Sequence, residues 1–186
     1  MSNSLQGLNI YLIGMMGAGK STVGIPLAQR LRYQFFDTDE LICQVAKTSI
    51  NEIFATAGES AFRDLETQTL GEICAYKNLV VATGGGAIVR RKNWSYLRHG
   101  LVVWLDVPVE ELYQRLQQDT TRPLLRDPDP LGKLTSILRD RQQMYQQADV
   151  RIEVTAKESP DELVTRVLAE IPKVLKPESA NGFPQQ

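Results

Sequence analysis

The sequence predicts an α/β fold, a parallel sheet of five strands covered by helices on both faces. Three observations carry this. Short apolar runs recur at residues 8–13, 34–36, 79–82, 101–105 and 150–154, and stretches with helical spacing separate them. No tight hairpin signal joins one run to the next, so each strand reaches its successor through a helical crossover, which makes neighbours parallel. The runs also stop at residues suited to ligands, namely Gly14, Asp37, the triplet Gly84–Gly86 and Asp106. In parallel sheets ligands bind beyond the carboxyl ends of the strands.

Taken in order, the first strand ends at Gly14, and Val23, Leu27 and Leu31 mark one face of a helix over 20–32. Pro26 lies inside that helix and removes one backbone donor, so a kink or local loosening is expected there. Residues 39–76 read as helical, in pieces broken near 47–49 and at Gly58. Helices are expected over 91–97, 110–117 and 132–147, and a last one over 160–170 opens on Pro160 at its first turn. Residues 118–130 form the longest polar, proline-bearing stretch, and the tail 176–186 has the composition of a disordered segment. One domain over 1–175 is the expectation for a chain of 186 residues.

Composition excludes several classes of function. Lys and Arg number 21 against 22 Asp and Glu, a net charge of −1, so no global attraction to nucleic acid or membrane is indicated. Any anion must therefore be held by a few local cations. Two cysteines, Cys43 and Cys74, are too few for a disulfide framework or a zinc centre, and the single His99 argues against a histidine-based site. The N-terminal residues lack a signal peptide's basic and apolar regions, so a cytoplasmic location is expected.

Gly14-Met15-Met16-Gly17-Ala18-Gly19-Lys20-Ser21 satisfies G-x-x-x-x-G-K-[ST], directly between a strand and a helix. Such a loop turns several backbone N–H groups toward one anion, and the helix N-terminus adds partial positive charge. Lys20 can reach the β- and γ-phosphates of a nucleotide, and the Ser21 hydroxyl can ligate Mg²⁺. The loop alone does not separate a kinase from a GTPase or a motor ATPase. No Asn-Lys-x-Asp guanine-reading motif occurs, and a helical insertion rather than a switch loop follows the early strands, which favours a small-molecule kinase.

Asp37 and Asp39 follow the second strand. Residues two apart in extended chain point the same way, so both carboxylates are expected to face one cleft. One could hold Mg²⁺ and the other take a hydrogen bond or proton from an acceptor hydroxyl; alternatively, Asp39 caps the next helix. Arg63 and Glu66 share a helix face, either as a surface ion pair or as a carboxylate-binding arginine held by its partner. Gly84–Gly86 suits close approach of backbone to a ligand. Arg122, in the polar stretch, could close over the γ-phosphate.

In combination, GMMGAGKST at 14–22, FFDTD at 35–39, IFATAGESAFRDLE at 53–66, ATGGGAI at 82–88 and RPLL at 122–125 resemble the shikimate kinase family, from Asn9 to about Leu168. The resemblance implies a three-layer P-loop NTPase fold with strand order 2-3-1-4-5, a substrate-binding insertion near 38–66 and a lid near 117–131. It implies transfer of the ATP γ-phosphate to the 3-hydroxyl of shikimate by a monomeric enzyme, and the near-zero net charge predicts neither a nucleic-acid nor a membrane partner. By matching motifs, residues 14–22 (through Thr22) would hold the nucleotide phosphates. Asp39 would hold the reacting hydroxyl, and Arg63 and Arg141 the shikimate carboxylate. Gly84, Gly85 and Gly86 would line the pocket, with Phe54 and Phe62 against the ring. Lys20 and Arg122, the lid arginine, would serve catalysis. Ser21 and Asp37 would hold Mg²⁺, and Arg115 and Pro160 would sandwich adenine. Pro26 is the one departure noticed, and no expected catalytic position is missing.

Overall fold

The computed structural model describes residues 5–117, 128–155 and 157–175. Arg122, most of the expected lid and the tail 176–186 lie outside them. Five strands, β1 (Ile10–Ile13), β2 (Gln34–Asp37), β3 (Leu79–Ala82), β4 (Leu101–Asp106) and β5 (Val150–Glu153), form one sheet in the order β2-β3-β1-β4-β5. Every neighbouring pair is parallel. All four residues of β1 have no solvent exposure, the burial expected of a central strand covered on both faces. β5 at one edge alternates instead, burying Val150 and Ile152 and exposing Arg151 and Glu153.

Helix α1 (Lys20–Leu31) buries Val23, Leu27, Ala28 and Leu31 and continues through Pro26 as a single helix. Proline there removes only the amide that would serve the Thr22 carbonyl, one bond in a helix held by its buried face. The insertion after β2 breaks where the sequence indicates. α2 (Thr38–Ala46) ends before Ser49, whose hydroxyl accepts from the Glu52 amide to cap α3 (Ile50–Ile73). Within α3, Gly58 takes φ 81° and ψ 174° and divides it into two helical halves. Ile42, Ile53 and Phe62 bury one another in a small core separate from the main one.

A 3₁₀ turn at Ala87–Val89, which the periodicity does not reveal, leads into α4 (Arg91–Leu97). After β4 come α5 (Val109–Leu116) and α6 (Pro130–Tyr145), and after β5 comes α7 (Pro160–Val174). α7 runs past the expected end at residue 170, carrying Pro172 within its last turn. Its start is fixed by a capping box: the Ser159 hydroxyl accepts from the Glu162 amide, and the Glu162 carboxylate accepts from the Ser159 amide. Parallel register sets Asp37 beside Ala82 and Leu12 beside Ala82, so Gly14, Asp37 and Thr83–Gly84 lie level along one edge of the sheet. β1 is the strand at which the order reverses, the position where such sheets open a crevice.

Candidate active site

The loop after β1 bends at Gly17 (φ 77°) and Gly19 (φ 85°), left-handed conformations that bring it round to the first turn of α1. Met15 and Ala18 are buried in the main core while Met16 is half-buried, so Met15 and Ala18 present backbone rather than side chain to a ligand. The Lys20 ammonium folds back over the loop, donating to the carbonyls of Gly14 (3.0 Å) and Met15 (2.9 Å). Thr22 is exposed on the next turn. Beside the loop a cleft is lined by Gly17, Gly19, Thr22, Arg115 and Pro160, so the two residues matched to an adenine site do meet there. Arg115 is steadied by Glu111 at 3.0 Å.

The two aspartates are arranged differently from the expectation. The chain leaves the extended state at Thr38, so Asp37 ends β2 while Asp39 belongs to the first turn of α2. Asp37, not Asp39, is the helix cap: its Oδ1 accepts from the Asp39 amide at 2.9 Å. Its other oxygen, Oδ2, accepts from the Ser21 hydroxyl at 2.6 Å, joining β2 to α1. That hydroxyl–carboxylate pair supplies two hard oxygen donors, which fits Mg²⁺. The described residues hold no cluster of three or more Asp, Glu, His or Cys, so the remaining ligands would be phosphate oxygens and waters, the usual Mg²⁺ arrangement in kinases.

Asp39 instead faces a second cavity, ≈ 390 Å³, between α2, α3, the glycine triplet and α6. Arg63 projects into it from the second half of α3, 14% exposed. Its Nη1 donates to both oxygens of Glu66 (3.2 and 3.0 Å), while Nε and Nη2 donate to Glu59 Oε1 (3.3 and 3.2 Å). The Arg63–Glu66 pair is thus no surface ion pair, since Glu66 is wholly buried. Burial pushes the Glu66 carboxyl up from its ordinary range; the Arg63 charge and hydrogen bonds oppose this, and the Asp39 charge adds to it. Phe54 and Phe62 pack together 4.9 Å apart at the cavity wall.

The glycine triplet is required by close approach. A Cβ on Gly84 would stand 2.7 Å from Asp39 Oδ1 and 2.8 Å from Glu66 Oε1, and one on Gly86 would meet the Arg63 guanidinium, with Nη2 at 2.5 Å and Cζ at 2.6 Å. Gly86→Ala should therefore fold, because a flexible side chain can yield, but the guanidinium must move. The expected result is binding in this cavity weakened about tenfold or more with nucleotide binding unchanged, since small misplacements at a site cost heavily. Steady-state kinetics varying each substrate would check it.

The Gly85 carbonyl is held by two donors from α6, Arg141 Nη1 at 3.0 Å and Tyr145 Oη at 3.1 Å. Tyr145 is buried and stacked on Trp104 (5.4 Å, 10°), and burial pushes its hydroxyl up to about 12, so it remains a neutral donor at working pH. Sequence reasoning missed Tyr145, although its position four residues after Arg141 puts both on one helix face. It also passed over Glu59, one turn before Arg63. Arg122 lies outside the described residues. A larger cavity, ≈ 710 Å³, opens beside Phe36, Val45 and Tyr76, but it includes none of the phosphate-loop residues nor Asp37 or Asp39.

A phosphate-cradling loop at the reversal point of a parallel sheet, with a separate charged pocket one strand away, defines a P-loop kinase. A family model described as shikimate kinase matches residues 16–172. Shikimate kinases of Trichormus variabilis and Rippkaea orientalis are 60% and 53% identical to this chain, over 97% and 96% of it and 100% and 96% of their own lengths. A solved shikimate kinase from Acinetobacter baumannii, in complex with shikimate, superposes with TM-score 0.87 at 40% identity, covering 93% of this chain and 98% of that one. The protein belongs to the shikimate kinase family. It is accordingly an enzyme, an ATP-dependent kinase. A gluconokinase from Sinorhizobium meliloti, 20% identical with TM-score 0.58, shares the fold alone.

Proposed function

We propose that the protein transfers the γ-phosphoryl group of ATP to the 3-hydroxyl of shikimate, with Asp39 at the reacting hydroxyl and Arg63 and Arg141 at the carboxylate. The observation that carries this is the single cavity in which Asp39, Arg63, Gly84–Gly86 and Arg141 meet, beside Met16 of the phosphate loop. A carboxylate on one wall and guanidinium groups on others fit a ligand with a hydroxyl at one end and a carboxylate at the other.

Residues 14–22 cradle the phosphates, and Lys20 leaves the Gly14 and Met15 carbonyls to meet the β- and γ-oxygens. Ser21 and Asp37 are read as the Mg²⁺ ligands; bound there, the ion would screen phosphate charge. Asp39 orients the acceptor hydroxyl and takes its proton as the phosphoryl group transfers. Arg115 and Pro160 bracket adenine. Arg122 keeps the catalytic role that the family resemblance implies. The chemistry asks chiefly for positioning and charge stabilisation.

The reading extends to one kinase domain over 1–175, with 38–66 as the acceptor-binding insertion, acting as a cytoplasmic monomer without nucleic-acid or membrane partners. The net charge of −1 supports it, and no helix among the described residues is long and apolar enough to cross a membrane. ADP release measured with shikimate, gluconate and nucleoside monophosphates tests the function: turnover should require shikimate, and a preference for another acceptor would overturn the assignment. Arg63→Ala should raise the shikimate KM about 10- to 150-fold, the loss of a charged hydrogen bond, while the KM for ATP holds. Unchanged shikimate affinity would leave Arg63 a purely structural role.

A further inference from the structure

Arg63 pairs with two carboxylates of its own helix. Glu66 takes Nη1, and Glu59 takes the other edge, with one oxygen receiving both Nε and Nη2. The Nε–Nη2 edge is the fork that pairs with a planar carboxylate through two parallel hydrogen bonds. We infer that Glu59 is a displaceable surrogate for the substrate carboxylate, holding that edge of Arg63 and surrendering it when shikimate binds. The inference rests on the reading of Arg63 as a carboxylate-binding residue.

Burial decides which carboxylate yields. The Glu66 side chain has no exposure, and separating it from Arg63 would strand a charge in the interior. The Glu59 side chain is 68% exposed and can return to water at little cost. Its place in the chain also suits it to move, since it directly follows Gly58, where the helix is interrupted. Charge counting points the same way. Arg63 and Arg141 face Asp39, Glu59 and Glu66 across the cavity, an excess of one negative charge that opposes an incoming anion. Withdrawing Glu59 brings two cations against two anions.

The residue thereby contributes to specificity. With Glu59 in place the guanidinium is already satisfied, so a polyol that lacks a carboxylate gains nothing by entering. Only a ligand that offers a fork acceptor of its own can exchange with Glu59.

The test compares Glu59→Gln and Glu59→Ala with the parent by calorimetric titration of shikimate, with Arg63→Ala in parallel. Both Glu59 variants should bind shikimate about two- to fivefold more tightly, the range of an exposed ion pair removed from competition. They should also be inhibited by sulfate, competitively with shikimate, at lower concentration than the parent. A Glu59 that merely props Arg63 would give the opposite sign, and weaker or equal shikimate binding in both variants overturns the inference. If Arg63→Ala binds shikimate as the parent does, the carboxylate reading of Arg63 fails. If Arg63→Ala weakens binding but the Glu59 variants do not tighten it, only the surrogate role fails.

Discussion

Lys20→Ala is expected to reduce phosphoryl transfer by about 10³-fold or more while leaving the protein folded. The ammonium is held 3.0 and 2.9 Å from two loop carbonyls, at the mouth of a loop whose amides and helix terminus already favour an anion. Alanine is the strongest helix former and Lys20 opens α1 on a partly exposed face, so thermal stability should change little. The loss therefore lies in charge stabilisation, because no other side chain of the loop carries a positive charge. ADP release in a coupled assay, with a melting curve on the same sample, checks both halves. Substantial turnover in a folded Lys20→Ala protein would remove the loop from the chemistry.

Asp39→Asn should lower kcat by about 10²- to 10⁴-fold, the span of general-base catalysis, with a smaller change in the shikimate KM. Asparagine keeps the size and an acceptor oxygen, so it separates proton uptake from orientation. A kcat within tenfold of the parent would make Asp39 an orienting group only. The same substitution has a second signature. Asp39 is one cause of the raised Glu66 pKa. A carboxyl whose folded pKa exceeds its unfolded value contributes stability that is fully present below the unfolded pKa and fades as pH rises through the folded one. Removing the Asp39 charge lowers the folded pKa of Glu66 and weakens that loss. Asp39→Asn should thus gain stability over the parent at neutral pH, with the gain disappearing under acid; urea midpoints across the pH range would read it.

The strands and the phosphate loop were legible because each rests on local chemistry. Buried apolar runs specify parallel strands, and the loop's glycines, Lys20 and Ser21 are contiguous in the chain. Breaks near 47–49 and at Gly58 were legible for the same reason. Asp39 was misplaced because extended geometry was carried two residues too far. The cap at Asp37 that starts α2 depends on the folded turn. Glu66 read as either surface or buried, since an i, i+3 pair looks alike in both settings and only the packing of α3 against α2, α4 and the turn after β3 decides. Tyr145 and the Gly85 carbonyl lie 60 residues apart, and a hydrogen bond between them leaves no trace in periodicity. The sandwich of Gly86 against Arg63 was readable only as a need for closeness, not as closeness to a particular group.

The Asp37 carboxylate divides its two oxygens between the Ser21 hydroxyl at the start of α1 and the Asp39 amide at the start of α2. One rigid, planar group of three atoms thereby spans the donor and acceptor halves of the enzyme. A nucleotide that reoriented Asp37 on one side would tilt the first turn of α2 on the other, and with it Asp39, the residue proposed to meet the acceptor. Thermodynamic reciprocity makes the influence mutual: whatever factor ATP applies to shikimate affinity, shikimate applies to ATP affinity. Coupling between the two substrates would then need no long relay of residues, because a single side chain is bonded to the first turns of both helices.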